Sequence, residues 1–232
     1  MPDAGYLLSI EELVADMRAN ETCSLWEQVF AKLDKERQKR ARMHRTAAKR
    51  AGTAGAGLLL QWAIQHWQTD EPDRGREIRL LSLREILDGL GDPVPLQYDY
   101  GPKGKPYLRD MPLFFNLSHS GDYVLCALSH REIGADIQRW EKCNTEKLAE
   151  RFFHEREREC LRRIPANRER EQYFYRLWTA KEAYGKMTGD GIAASVGRDF
   201  TDPNAEWMRD LELMEYDILP DYAMAVCTHK EL

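Results

Sequence analysis

The sequence predicts an α+β fold, because segments with strand and helix patterns occur in groups and do not alternate strictly as βαβ units. Three consecutive segments within residues 114–138 have the apolar, period-two pattern of strands. Longer stretches on either side of them, at 23–67 and 145–187, place apolar residues at helix spacing.

Composition predicts a soluble globular protein. The chain has 232 residues, of which 43% are hydrophobic and 31% charged. It contains no apolar run near the ~20 residues that a membrane helix needs, and its start lacks a secretion-signal pattern, so we expect a cytoplasmic protein without a membrane contact. Five cysteines without a C-x-x-C pair predict neither a zinc site nor a disulfide framework.

The first half is predicted to be mostly helical. Leu25, Val29 and Leu33 are at helix spacing, and the apolar run 58–64 predicts a buried helix, with three glycines (Gly52, Gly55 and Gly57) weakening the pattern between them. Residues 78–90 predict another short helix. A turn-rich loop with two lysines follows at 101–108.

The middle of the chain predicts three strands, at 114–118, 123–128 and 131–138. Alternation in the third strand places two sets of residues on opposite faces of a sheet: Ile133, Ala135 and Ile137 on one, and Gly134, Asp136 and Gln138 on the other.

Helices are predicted again at 145–163 and 169–187, and alternating segments within 207–228 could pair as strands. Each half therefore runs from a charged helical stretch to a helix that bears aromatic residues. This order suggests a weak internal duplication. We expect two similar halves, residues 1–112 and 113–232.

Residues 31–50 are strongly basic, with nine Lys or Arg against two acids in a chain of net charge −5. A local basic helix on an acidic protein favours a discrete anion site over a nucleic-acid surface, for which a basic domain is expected. The alternative is a solvated helix face.

Asp136 and Glu182 are candidate metal ligands. Asp136 lies among apolar residues of a strand, where a carboxylate needs a cation or a metal as its partner. Helix spacing stacks Trp178, Glu182 and Lys186 on one face. Two carboxylate oxygens from two elements suit Mg²⁺ when water and phosphate complete its shell. The alternative is a structural ion pair of Asp136 with Lys186 or Arg139.

Two further segments carry polar groups of ambiguous role. Ser118 and His119 are neighbours on extended chain and point to opposite faces, which argues against a nucleophile–base pair. His119 is better suited to donate a hydrogen bond to a phosphate or hydroxyl, or it is a satisfied core histidine. The loop 101–106 lacks the Walker pattern, although its two lysines could contact an anion.

Taken in order, five motifs resemble the 4′-phosphopantetheinyl transferases of the large, Sfp-type subfamily. They are Lys103-Gly104-Lys105-Pro106, the run 115–120 (FNLSHS), the run 133–137 (IGADI), Phe152-Phe153 with Glu157, and the run 178–186 (WTAKEAYGK). The resemblance covers about residues 25–192. It implies two similar α/β halves with coenzyme A in a cleft between them.

The resemblance also implies a reaction. Such enzymes transfer phosphopantetheine from coenzyme A to a serine of an apo carrier protein with Mg²⁺, and the duplicated chain is expected to act as a monomer without nucleic acid. The implied catalytic residues are Glu182, Asp136 and Lys186, and the implied metal ligands are Asp136, Glu182 and Gln138, the last directly or through water. The implied coenzyme A contacts are Arg50, Lys103, Lys105, Pro106, Ser118, His119 and Lys186.

One position departs from the family pattern. Many relatives carry an acid where this chain has Gln138, and an amide oxygen binds Mg²⁺ less strongly than a carboxylate. A non-catalytic relative that binds coenzyme A or a carrier protein is therefore the alternative. Glu182 could act as metal ligand, as general base, or as both.

Overall fold

This computed structural model describes residues 4–19, 24–67, 77–141 and 143–231. The helices are α1 (Glu11–Ala19), α2 (Ser24–Ala31), α3 (Lys35–Met43), α4 (Ala47–His66), α5 (Leu83–Gly89), α6 (Thr145–Phe152), α7 (Glu155–Arg163) and α8 (Arg168–Thr188). The strands are β1 (Ala4–Ser9), β2 (Ile78–Leu81), β3 (Tyr98–Tyr100), β4 (Pro106–Leu108), β5 (Phe114–Ser120), β6 (Tyr123–Ser129), β7 (Ile133–Arg139), β8 (Leu211–Tyr216) and β9 (Tyr222–His229). Mixed helices and sheets confirm the predicted α+β class.

The strands form two main sheets. The first has the order β2-β1-β6-β5, in which β1 is parallel to β2 and the other pairs are antiparallel. The second is antiparallel with the order β7-β9-β8. A small hairpin of β3 and β4 frames the loop that the sequence predicted at 101–108.

The sheets and the two longest helices stack as four layers. Helix α4 covers one face of the first sheet, the other face of that sheet packs against the second sheet, and α8 covers the outer face of the second sheet. Buried residues of the three interfaces include Leu58 and Val124 in the first, Leu125 and Ile137 in the second, and Ala183 and Ala225 in the third. Each sheet therefore carries one long helix, of 20 and 21 residues.

Strand β7 has the predicted alternation. Its apolar residues Ile133, Ala135 and Ile137 are buried between the two sheets, whereas Gly134 and Asp136 face α8. The polar face of β7 and the middle of α8 are thereby brought together.

Residues 78–90 differ from the predicted helix. Residues 78–81 form β2, which pairs in parallel with β1, and only 83–89 are helical. The apolar spacing of this stretch continues across both elements, so the pairing with β1, which the local pattern does not contain, decides the conformation.

Helix α4 continues through the three glycines that weakened its prediction. A methyl group at Gly55 would lie 2.6 Å from Cγ2 of Ile10, and one at Gly57 would lie 3.0 Å from Cδ2 of Leu33. The glycines therefore allow α4 to approach its neighbours closely, and this packing offsets their low helix propensity, about 1 kcal/mol each relative to alanine.

The boundary expected between residues 112 and 113 stays a prediction. Strands β5 and β6, which follow it, share a sheet with β1 and β2, which precede it. The first sheet is therefore built from both sides of the expected boundary. None of the described helices combines the length and the apolar character needed to cross a bilayer.

Candidate active site

Asp136 lies at the centre of a polar cluster between β7, β5 and α8. Its Oδ1 accepts hydrogen bonds from Nζ of Lys186 at 2.7 Å and from Oγ of Ser118 at 2.8 Å. Nζ of Lys186 also donates to Oγ of Ser118 at 2.9 Å and to the carbonyl of Ala135 at 3.1 Å. The carboxylate is almost fully buried and is compensated by this ammonium.

Side chains of β5 fix the position of the cluster. The free edge of β7 points toward β5, and three alternate β5 side chains accept hydrogen bonds from its backbone N–H groups. The pairs are Asn116 with Ala135 at 3.1 Å, Ser118 with Ile137 at 3.3 Å, and Ser120 with Arg139 at 3.0 Å. The two sheets are therefore joined by side chains where no backbone ladder continues.

Replacing Ser118 with alanine should lower the free energy of unfolding by about 1–3 kcal/mol, because a buried N–H and a buried carboxylate each lose a partner. Urea unfolding monitored by circular dichroism measures the change. Ser120→Ala is the matched control on the same strand. It removes a partly buried bond and should cost no more than about 1 kcal/mol. Equal losses in the two variants would contradict the central role of Ser118.

Glu182 is half-buried on α8, one turn before Lys186. Burial raises the pKa of Glu182, the negative charge of Asp136 raises it further, and the ammonium of Lys186 opposes both. The two predicted carboxylates therefore interact electrostatically, as a shared cation site requires.

The donor set fits a hard divalent cation. A carboxylate whose proton affinity is raised by a neighbouring carboxylate is relieved by a cation, and Mg²⁺ commonly takes one or two carboxylates with substrate phosphates and waters. No group of three or more His, Cys, Asp or Glu side chains able to hold a metal occurs in the described part of the chain. Gln138 shares the β7 face of Asp136, but its amide donates to the carbonyl of Arg139 at 3.1 Å. Its predicted ligand role stays a prediction.

His119 connects this cluster to α4. A methyl group at Gly52 would lie 3.2 Å from Nδ1 of His119, so the imidazole packs directly on the first turns of α4. Partial burial lowers the pKa of His119, the positive charge of Lys186 lowers it further, and the carboxylate of Asp136 opposes both. A neutral imidazole can donate one hydrogen bond to a ligand.

The start of α4 brings cationic and donor groups to the same place. Thr46 caps the helix by accepting a hydrogen bond from the N–H of Lys49, and Nε of Arg50 donates to the carbonyl of His44 at 2.7 Å. A helix N-terminus favours an anion. Arg50 and His119 therefore lie in a region suited to a phosphate, and their contacts with coenzyme A stay predictions.

One of the two lysines in the loop 101–106 is bound by other residues of the protein. The ammonium of Lys105 is buried, pairs with Glu132, and donates to the carbonyls of Met187 at 2.5 Å and Ile133 at 3.3 Å. Burial lowers its pKa. Its charge therefore secures the loop to the end of α8 and to β7. Its predicted contact with coenzyme A stays a prediction.

The neighbours of Lys105 have different environments. Lys103 is exposed and pairs with Asp190 at 2.7 Å, across the gap between the loop and the end of α8. Pro106 begins β4 and is partly exposed. Their predicted contacts with coenzyme A stay predictions.

Sequence comparisons identify the family. The sequence model of the 4′-phosphopantetheinyl transferase superfamily matches residues 132–227, which include Asp136, Glu182 and Lys186. 4′-Phosphopantetheinyl transferase AcpT of Escherichia coli is 36% identical over 133 residues, which cover 56% of this chain and 67% of that protein. The chain belongs to the 4′-phosphopantetheinyl transferase superfamily.

Two other members of the superfamily are similar over shorter shares of their length. 4′-Phosphopantetheinyl transferase HetI of Nostoc is 47% identical over 119 residues, 48% of this chain and 50% of HetI. 4′-Phosphopantetheinyl transferase Sfp of Bacillus subtilis is 32% identical over 146 residues, 59% of this chain and 64% of Sfp. The chain thus spans between half and two thirds of these curated relatives.

Sequence reasoning missed two features of this superfamily member. It gave Ser118 a ligand contact but not its place beside Asp136, and it quoted Glu157 and Lys181 within motifs without a role. These last two form a fully buried ion pair behind the site, at 2.9 Å. No local sequence pattern marks this pair, because the surroundings of Lys181 come from α7 and from the segment 195–200.

Proposed function

We propose that the protein transfers the 4′-phosphopantetheine arm of coenzyme A to a serine of an apo carrier protein, with Mg²⁺, and releases adenosine 3′,5′-bisphosphate. One observation carries the proposal: Asp136, Glu182 and Lys186 converge on the polar face of β7, within the segment that matches the superfamily. We place this reaction in the cytosol and assign it to a monomer.

In this proposal Asp136 and Glu182 would hold the metal ion, which would supply positive charge to the pyrophosphate of coenzyme A. Lys186 supplies a second positive charge beside it. Charge spread over phosphoryl oxygens is the main feature of such a transition state, so fixed cations stabilise it more than the ground state.

The remaining residues bind and move a proton. The carrier serine oxygen forms a bond to the β-phosphorus while the bond from that phosphorus to the bridging oxygen of the bisphosphate breaks. The serine proton must leave, and we assign Glu182 as the base that accepts it. Neutral His119 and the start of α4 bind the nucleotide phosphates.

The carrier protein is the partner of this reaction. A basic surface on α7, with Arg162 and Arg163 exposed beside the buried Leu161, suits the acidic helix that a carrier presents. Each arginine also lies near an acid of α7: Arg162 is 3.5 Å from Glu155, and Arg163 is 3.8 Å from Glu159. These acids weaken the attraction of the arginines for the acidic helix of a carrier. Which carrier is served is left to experiment.

An arm-transfer assay tests the proposal. Purified protein, Mg²⁺, coenzyme A and a panel of apo carrier proteins should give carriers heavier by one phosphopantetheine arm in intact-mass spectra. Glu182→Gln should lower the rate by about 10²-fold or more, since it removes a charge and a base. Glu169→Gln, an exposed position on the same helix, is the matched control and should leave the rate unchanged.

Two outcomes would contradict the proposal. Coenzyme A binding without mass gain on any carrier would favour a non-catalytic binding protein. A rate for Glu182→Gln equal to that of Glu169→Gln would remove Glu182 from both of its assigned roles.

A further inference from the structure

The ammonium of Lys186 already has a protein acceptor for each of its N–H groups, whereas a cation that waits for a substrate needs no such full set. An ammonium has three N–H donors. In Lys186 these meet Oδ1 of Asp136 at 2.7 Å, Oγ of Ser118 at 2.9 Å and the carbonyl of Ala135 at 3.1 Å. All three acceptors belong to the protein, so Lys186 is satisfied within the polar cluster and must release contacts before it binds anything else.

The carboxylate of Asp136 is more deeply buried than the ammonium of Lys186: the side chain of Asp136 is only 8% exposed, against 29% for Lys186. Oδ1 of Asp136 accepts hydrogen bonds from both Lys186 and Ser118. A cation that binds Asp136 comes close to the ammonium of Lys186, which lies 2.7 Å from Oδ1 of Asp136. Repulsion between the two grows with the product of their charges, and a partly buried location screens it weakly.

We propose that Lys186 is an internal counterion that competes with a divalent metal ion for Asp136 and is drawn away by the pyrophosphate of coenzyme A. This inference rests on the proposed function, from which the metal and the pyrophosphate come. The consequence is a coupling between two ligands: metal binds weakly to the free protein, and tightly once an anion has taken the ammonium from Asp136. Such couplings are reciprocal, so the metal equally strengthens the binding of coenzyme A.

The coupling is measurable without turnover. Mn²⁺ serves as the probe, and free Mn²⁺ is counted by electron paramagnetic resonance during titration of the protein alone. Lys186→Gln should bind Mn²⁺ about 10-fold more tightly than the wild type, within the usual range of coupling between sites. Arg176→Gln removes one positive charge from the exposed side of the same helix, where Arg176 pairs with Glu215, and should leave the affinity within about 2-fold.

Addition of coenzyme A supplies the second comparison. It should tighten Mn²⁺ binding strongly in the wild type and less in Lys186→Gln, where no ammonium has to leave Asp136. Mn²⁺ affinity in Lys186→Gln equal to or weaker than that of the wild type would overturn the inference. An equal gain in Mn²⁺ affinity in the wild type and in Lys186→Gln would also overturn it, because the negative charge of coenzyme A alone would then explain the gain.

A measurement on the wild type guards against a variant that fails to fold. Reductive methylation followed by peptide mass spectrometry reports the accessibility of each lysine. Mg²⁺ should accelerate methylation of Lys186, since it releases the ammonium, and should leave exposed Lys147 unchanged. An unchanged or slower rate at Lys186 would overturn the inference.

The failure of the inference is distinguishable from that of the proposed function. Mn²⁺ binding that is lost in Glu182→Gln but not strengthened in Lys186→Gln overturns the counterion role alone. No Mn²⁺ binding by any of these proteins, with or without coenzyme A, overturns the metal site as well.

Discussion

Replacing Lys181 with methionine should lower the free energy of unfolding by about 3–5 kcal/mol, because it leaves the carboxylate of Glu157 buried without a counterion. Both side chains are fully buried, and Nζ of Lys181 lies 2.9 Å from Oε2 of Glu157. An isolated charge in such a place is far more costly than a missing methylene group.

The pair also connects three parts of the chain. Nζ of Lys181, on α8, donates to the carbonyl of Arg198 at 3.1 Å and lies 4.4 Å from the ring centre of Phe200. Glu157, on α7, accepts from the N–H of His154 at 2.7 Å and from the N–H of Phe200 at 2.8 Å. Loss of the pair should therefore loosen α7 and the segment 195–200 from the helix that carries Glu182.

Urea unfolding monitored by circular dichroism measures the loss. Lys147→Met, an exposed position on α6, is the control and should change stability by less than about 0.5 kcal/mol. The double variant Lys181→Met with Glu157→Gln should recover part of the loss, because an amide leaves no buried charge while its oxygen still accepts a hydrogen bond. A loss for Lys181→Met below about 1 kcal/mol would show that Glu157 needs no counterion.

The burial of Lys181 illustrates what the sequence could not predict. Helix spacing correctly placed Glu182 and Lys186 on one face, since that relation depends only on helix geometry. Lys181 directly precedes Glu182 in the chain, and in the sequence it looks like an ordinary surface lysine. Its role depends on Glu157, which is distant in sequence, and on a segment with little regular structure. Which acid pairs with Lys181 is therefore decided by tertiary packing.

The same distinction holds for the polar face of β7. Alternation alone correctly placed Asp136 opposite Ile137, because successive strand residues point to opposite faces. The partner of Asp136 was left open between a metal, Lys186 and Arg139, and the structure pairs it with Lys186 at 2.7 Å. Arg139 pairs instead with Asp122 at 2.9 Å. The hydrogen bonds of Ser118 with Asp136 and Ile137 depend on the packing of β5 beside β7, which no local sequence pattern predicts.

Lys105 marks a further limit. The motif around it correctly indicated the family, but a motif does not say which way a side chain points. The ammonium is buried against Glu132 and the end of α8, so its contribution is to hold the loop in place. The contact of Lys105 with coenzyme A that the resemblance implies stays a prediction.

Replacing Gly134 with alanine should be the most damaging glycine-to-alanine change in the described part of the chain. A methyl group there would lie 2.0 Å from the carbonyl oxygen of Ala183 and 2.3 Å from the backbone nitrogen of Met187. Both are backbone atoms of α8, so no side-chain rotation can relieve the clash. Helix α8 must move away from β7, and we expect a loss of about 3 kcal/mol or more in unfolding free energy.

The consequence for function follows from where the clash occurs. Ala183 and Met187 flank the turn that carries Lys186, and Asp136 lies two residues beyond Gly134 on the same face of β7. A shift of α8 separates Asp136 from Lys186, now 2.7 Å apart, and from Glu182. Under the proposed function, arm transfer should therefore fall by about 10²-fold even at temperatures where the variant is folded, because misplacement by about 1 Å is costly in catalysis.

Gly91→Ala is the matched control. An added methyl group at Gly91 meets only the flexible side chain of Gln65, at 3.3 Å, so its stability and transfer rate should stay close to those of the wild type. Thermal unfolding and the arm-transfer assay, run on both variants, separate the two effects. A Gly134→Ala protein with wild-type stability and rate would mean that α8 does not rest on β7 as closely as the structure places it. The convergence of Asp136, Glu182 and Lys186 would then lose its geometric support.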